Sequence, residues 1–406
     1  MILQKDLIRK FLFFIYLCMF MSFNNKNAMD DCFRWGSFFL LFTYSLIEDF
    51  ALGNYKIYLS THTKWVLLFS MYILLSSLWA LDINDALNRP YILSFLQIIV
   101  ISYVLSKWVK TQDDAIFYLK LYELSICFMI IVLVLNTPIN MYGTVRLGNI
   151  IGLNSNDFGM RCSSGALIGL YFSQKKKNYY FFSLLCIVFG LLSGSRKAFF
   201  ILVTGYSIFF LLKNRDIRIF RNLFIFILMV FILYKVVMKI PVFYNTIGFR
   251  IEVFLESFGG NRGDNSIVLR KFYREKAFSM FIEKPVLGWG ANSFVTTLRN
   301  SGAKVVTYSH NNYTELLCTL GLIGFLIYYS LQFKILFSSL MRYIKIGKIE
   351  LLLIFVVVLV NLISEYYYVS FYTIATNLQV LLLFLLLKAV NKNELRGINE
   401  NYSKTF

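Results

Sequence analysis

An all-α integral membrane protein, with about twelve transmembrane helices and one large extracytoplasmic loop, is the fold class that this sequence predicts. Three observations carry that expectation. Of 406 residues, 58% are hydrophobic, and the mean hydropathy is +0.63. The apolar residues come in unbroken blocks such as LLLIFVVVLVNLI and LQVLLLFLLL, which leave no polar face for water. The four prolines, Pro90, Pro138, Pro241 and Pro285, all fall outside the apolar cores.

A helical span needs ~20 mainly apolar residues. Candidates fall at 7–23, 35–52, 65–80, 90–107, 115–136, 158–173, 179–193, 197–212, 219–238, 311–333, 350–365 and 369–388. The short ones at 65–80 and 179–193 need local thinning of the bilayer or snorkelling flanks. Residues 1–23 resemble a secretory signal, with Lys5, Arg9 and Lys10 before FLFFIYLCMFM. No small-residue cleavage site follows, so they read as a first span that is retained.

Charge tests the count. With the N-terminus in the cytoplasm, 22 Lys or Arg fall on the cytoplasmic side, including Lys56 and Arg215. Only Lys26, Arg34, Arg89, Arg146, Arg196 and Lys197 fall in the short outer loops. That asymmetry predicts both termini inside. The chain divides into a nine-helix region (1–238), a large outer loop (239–310), three C-terminal helices (311–388) and a cytoplasmic tail (389–406). The formal net charge of +19 is thereby explained by topology, and no basic stripe on a soluble domain points to nucleic acid.

Within 239–310, GGNRGDNS reads as a turn or flexible stretch. SIVLRKFYREKAFSMFIEKP reads as an amphipathic helix with Leu269, Phe272, Tyr273, Phe278, Phe281 and Ile282 on its apolar side and Pro285 at its end. Such a helix can lie along the bilayer. GWGANSF makes a glycine-rich turn, and SHNNYTELL opens the next span.

Few residues can carry chemistry. The six cysteines form no CxxC pair, so neither a disulfide framework nor a cysteine metal site is expected. HExxH, DxD and Walker patterns are absent from the sequence, and no cofactor or metal is expected. Of two histidines, His62 falls in a predicted cytoplasmic loop and reads as incidental. His310 stands at the outer mouth of a span, before Asn311, Asn312 and Glu315; a neutral imidazole there can accept a proton near pH 7. Arg196, in SGSRKAFF, reads either as a snorkelling interface residue or as a fixed cation beside backbone open to a ligand. Arg270, Lys271, Arg274 and Lys276 line the polar side of the loop helix, where they can attract lipid headgroups or clamp a pyrophosphate. Arg146 and Arg161 flank GNIIGLNSNDFG, and Arg161 lies about one turn inside a span, where charge is costly and commonly functional. Glu123 is the one carboxylate well within a span. Transport would call for broken helices and midplane ionisable groups, and the lack of intramembrane proline argues against it.

These residues resemble a known family. SHNNYTELLCTLGLIGF is similar to the signature of the bacterial O-antigen ligase and polymerase superfamily: His310, then Asn311, nine residues, Gly321, two residues and Gly324. Upstream, Arg270 and the run Pro285, Gly288, Gly290 resemble the family's loop pattern. SGSRKAFF resembles its Ser-Arg at the top of a span, at Arg196, and NSNDFG another recurrent element. The motifs run from about 149 to 325. The resemblance implies a metal-independent glycosyltransferase in the bacterial cytoplasmic membrane. Its donor would be an oligosaccharide on undecaprenyl diphosphate and its acceptor a second glycan, with a chain-length regulator protein as a candidate partner. His310 would be the general base, with Arg196, Arg270, Arg274, Arg146, Arg161 and Asn311 holding substrate. The Phe-rich chain and its divergent loops favour an O-antigen or capsule polymerase over a ligase that moves glycan to lipid A–core; a flippase is a third reading.

Overall fold

The computed structural model describes residues 2–25, 27–53, 59–213, 218–258 and 265–404. Residues 259–264 of the turn expected at 259–266, and the cations Lys26, Lys56 and Arg215, lie outside them; Asn265 and Ser266 open a helix.

Each of the twelve apolar segments falls on a helix. These are α1 (Ile2–Ser22), α2 (Ala28–Ala51), α3 (Thr61–Ser76), α4 (Arg89–Trp108), α5 (Gln112–Asn136), α6 (Ser155–Ser173), α7 (Tyr179–Leu192), α8 (Arg196–Lys213) and α9 (Arg218–Lys239). After the large loop, which holds α10 (Phe249–Phe258), α11 (Asn265–Glu283) and α12 (Ser293–Asn300), come α13 (Asn312–Ile346), α14 (Ile349–Ser364) and α15 (Ile374–Lys404). Polar caps set several starts. Asn27 accepts from Asp30, Ser60 from Thr63 and Asn311 from Thr314, and Thr111 with Asp114 forms a capping box.

Among the described residues, five helices are long and apolar enough to cross a membrane: Ile83–Trp108, Gln112–Asn136, Asn312–Ile346, Ile349–Tyr367 and Ile374–Lys392. A sixth follows if Val230–Lys239 and Pro241–Val253, bent by 91°, form one span. The rest fall short for visible reasons: α1 carries Lys5, Asp6, Arg9 and Lys10, and α7 has only 14 residues. Several boundaries move, and the helix expected at 311–333 runs on to Ile346. The last helix starts at Ile374 rather than 369, because Tyr368–Thr373 is a turn closed by Thr373 N–H donating to Ser370 C=O. Its helical backbone continues to Lys404, through the expected tail.

Helix ends sort to two sides. On one, Arg9 Nε donates to Glu48 at 2.9 Å, Trp108 Nε1 to the same carboxylate at 3.0 Å, and Lys107 pairs with Asp49 at 2.9 Å. Lys175 and Tyr171 meet Glu350 at 2.9 and 3.0 Å. On the other, Arg161 Nη1 donates to Met21 C=O at 3.1 Å and Arg146 Nε to Ser193 C=O at 3.3 Å. His62 is not in a loop: it sits in the first turn of α3, buried, with Nδ1 2.8 Å from Ser102 Oγ. Glu123 lies mid-helix in α5, while the buried Glu315 and Glu365 stand in the first turn of α13 and just past the end of α14.

The large loop packs as structure. α11 stops before Pro285, as expected, but its packed side is Tyr273, Ala277 and Met280, spaced four and three apart, against Phe294, Leu298 and Cys318. Leu269, Phe272, Phe278 and Ile282 face outward. The helix has two apolar sides, and the one with small Ala277 at its centre admits the closer approach. The PVLGWG turn then docks onto a break in α13. At Gly321 the backbone has φ +63° and ψ −169°. Leu322 and Ile323 N–H donate to the Pro285 and Val286 carbonyls at 2.8 and 3.3 Å, while Trp289 and Gly290 N–H donate to those of Cys318 and Thr319 at 2.9 and 2.8 Å. A span is thus broken without proline: the loop supplies the partners that the interrupted helix loses.

Candidate active site

His310 stands next to Asn311, the cap residue of the broken helix. Its own backbone is left-handed, φ +58°, a conformation uncommon for non-glycine residues. The neighbours fix it there. Ser309 N–H donates to Glu315 at 2.7 Å, Ser309 Oγ to Asn311 C=O at 2.9 Å, and Asn311 Oδ1 caps α13 by accepting from Thr314 N–H at 3.0 Å. The imidazole lies between Tyr273 of α11 and Tyr308, with ring centres 6.0 and 4.4 Å away. Burial, with Arg270, Lys197 and Arg274 nearby, lowers its pKa from 6.5 to about 4. The ring is therefore neutral at physiological pH and free to accept a proton.

The cations around it come from three elements. Arg196 and Lys197 open α8, and Arg270 and Arg274 project from α11. All four line one cavity of about 130 Å³ whose other wall is Phe200, Ile201, Val360 and Ile363. Arg274 stands 5.2 Å from the centre of the Tyr366 ring and Lys197 5.1 Å from that of Tyr368. Arg146 lies beside them. Burial, then Arg250, Arg270 and Arg196, lowers its pKa to about 10.

Two motifs join here. Asn156 Oδ1, in NSNDFG, accepts from Arg146 Nη2 and from Ser195 Oγ, both at 3.1 Å. A Cβ on Gly159 would meet Ser193 Oγ at 2.4 Å. The glycine thus lets the Ser193–Arg196 turn close over α6, which fixes where α8 starts.

Of the residues singled out from sequence, Arg196, Arg270 and Arg274 share a cavity, and His310 and Arg146 do not line it but feel the charge of its cations. Asn311 is buried and its side-chain oxygen is spent on the helix cap. Arg161 belongs to a second cavity, with Arg34 and Asp157. Sequence reading did not assign roles to Lys197, Asp157, Tyr273 or Tyr308. Lys197 adjoins Arg196 and Asp157 lies within NSNDFG, so both were within reach of motif reading; Tyr273 was legible only as an apolar position.

The arrangement suits an amphiphile with a multiply charged anionic head, and it sets a neutral base at the edge of the cation cluster. Residues 181–329 match the family described as O-antigen ligase. No curated protein matches the chain.

Proposed function

The chain belongs to the O-antigen ligase and polymerase superfamily of membrane proteins, and from that premise we propose that it is a polysaccharide polymerase. It would join oligosaccharide repeat units carried on undecaprenyl diphosphate, at the outer face of the bacterial cytoplasmic membrane. One observation carries the reading: Arg196, Lys197, Arg270 and Arg274 share a cavity with an apolar wall, and three of them act electrostatically on His310, whose imidazole is neutral.

In the proposed step an acceptor hydroxyl attacks the anomeric carbon of the donor. The new C–O bond forms as the bond to the diphosphate oxygen breaks. His310 takes the hydroxyl proton, a contribution of ~10²–10⁴-fold for general-base catalysis. Charge grows on the departing diphosphate, and Arg196, Lys197, Arg270 and Arg274 are fixed where it develops, so little reorganisation is needed. The polyprenyl chain follows the apolar wall of Phe200, Ile201, Val360 and Ile363. Arg146 and Asn156 position the turn that carries Arg196.

The proposed topology has twelve spans, both termini in the cytoplasm and 239–310 outside. The Lys and Arg asymmetry supports it, as does the helical state of all twelve segments. The shorter helices would then be stabilised by neighbours rather than by length.

A second reading, a ligase that moves finished glycan to lipid A–core, is favoured by the description of the matching family. It uses the same donor site. The deciding experiment is a glycan ladder from a deletion strain, run beside strains complemented with wild type and His310→Ala. Single repeat units on the acceptor identify a polymerase; full-length polymer stranded on the lipid carrier identifies a ligase. Wild-type ladders from a correctly inserted His310→Ala variant would remove the histidine from the chemistry.

A further inference from the structure

A second cavity, of about 250 Å³, lies among the ends of α1, α2, α4, α6, α14 and α15. Its lining differs from that of the first. Arg34, Asp157, Arg161, Asn361 and Gln379 supply polar groups, with Tyr368 among the aromatic faces. Arg34 and Arg161 both stand over the Phe20 ring, at 5.7 and 5.3 Å from its centre. Two guanidinium groups at one ring repel each other, and Asp157 is the one carboxylate among the lining residues. Donors are also left over. Among the described residues no partner reaches Arg34 Nε or Gln379 Nε2, although both atoms are buried, while Gln379 Oε1 already accepts from Asn361 at 3.0 Å. Buried donors without partners are costly, and a ligand rich in acceptors relieves them.

The two cavities adjoin. Tyr368 lines the second and holds Lys197 of the first against its ring.

We propose that this second cavity seats an anionic sugar residue of the acceptor glycan, its carboxylate or phosphate held by Arg34 and Arg161 and its hydroxyls by Gln379 and Asp157. Planar guanidinium pairs recognise such oxyanions bidentately, and tyrosine faces suit a sugar ring. The lining mixes charged and amide groups with aromatic faces, whereas the other cavity has the aliphatic wall of Ile201, Val360 and Ile363. The inference rests on the transferase reading above, because it assigns the second substrate of that reaction.

The test uses the full chain in phosphatidylcholine nanodiscs and titrates a uronic-acid-containing trisaccharide against the same trisaccharide with its carboxyl groups reduced. The acidic form is expected to bind at least tenfold more tightly, a difference of ~1.4 kcal/mol or more. Arg34→Gln and Arg161→Gln should each erase the preference, and Arg34→Lys should restore part of it. Arg196→Gln, in the other cavity, should leave it in place. Equal binding of the two forms, or a preference that survives both glutamine variants, overturns the proposal. So does loss of saccharide binding in phosphatidylglycerol nanodiscs, which would give the site to a lipid headgroup. The two readings fail separately: wild-type ladders from His310→Ala with the acidic preference intact would remove the base assignment and keep this site.

Discussion

Gly288 and Gly321 meet backbone to backbone: a Cβ added to Gly288 would lie 2.5 Å from the amide nitrogen of Gly321, and one added to Gly321 would lie 2.2 Å from the Val286 carbonyl oxygen. Both residues have positive φ, so side chains are excluded by conformation and by space alike. The spacing that marks the two motifs in the sequence is thus the imprint of one contact.

Gly321→Ala is expected to be among the most damaging substitutions in the chain. The φ +63°, ψ −169° backbone of Gly321 is one that essentially only glycine adopts, at a cost of ~1–3 kcal/mol to other residues, and the clash with a carbonyl adds to it, giving a total of ~3 kcal/mol or more. Thermal unfolding in detergent should show a large fall, with ladder formation lost. Gly36→Ala is the control. It sits in α2 with nothing within 4 Å, and should be neutral or gain ~0.5–1 kcal/mol from helix propensity.

His310→Ala should lower turnover by ~10²–10⁴-fold while leaving donor binding nearly unchanged. Single-turnover kinetics on a purified lipid-linked donor separate the two. Weakened donor binding with normal turnover would show the ring to be a binding group instead.

The pH profile has a definite sign. Burial and the Arg270, Lys197 and Arg274 cations hold the His310 pKa down near 4, so the base form persists through neutral pH and is lost only as pH falls through that value. The acid limb of kcat/KM, which reports the free enzyme, should therefore lie near pH 4. Arg270→Gln removes a cation that depresses the pKa, so the limb should move to higher pH even though donor affinity falls. An unmoved limb would mean that another group controls it.

Asn156→Ala removes the acceptor shared by Arg146 and Ser195. Leaving buried donors unpaired costs ~1–3 kcal/mol. The loosened turn should displace Arg196, seen as a raised KM for the donor. Asn156→Asp, which keeps the acceptor oxygens, should recover most of the function.

Much of this was legible in the sequence because its signals are local. Twelve apolar blocks become helices since hydrophobic length speaks for itself, and Pro285 follows the end of α11 because proline cannot continue a helix. The cavity cations Arg196 and Arg270 were legible through motif position, and Arg274 through the polar side of the loop helix. What escaped depends on contacts across the chain. The packed side of α11 is chosen by Phe294 and Cys318, which periodicity within 265–283 cannot foresee. Asn311 looked like a ligand residue, yet its place as the residue before α13 commits it to capping. The break at Gly321 was hidden because a glycine in an apolar run usually continues a helix, and only the partner carbonyls of Pro285 and Val286 make interruption affordable.

Those partner carbonyls constrain how relatives of this protein could exchange parts. Residues 285–290 and 318–323 complete each other's hydrogen bonding, so a graft that carries one segment without the other leaves amides stranded in an apolar setting. Chimaeras cut between them should fail at assembly, whatever their catalytic residues, and those that transfer both together should be the ones that survive.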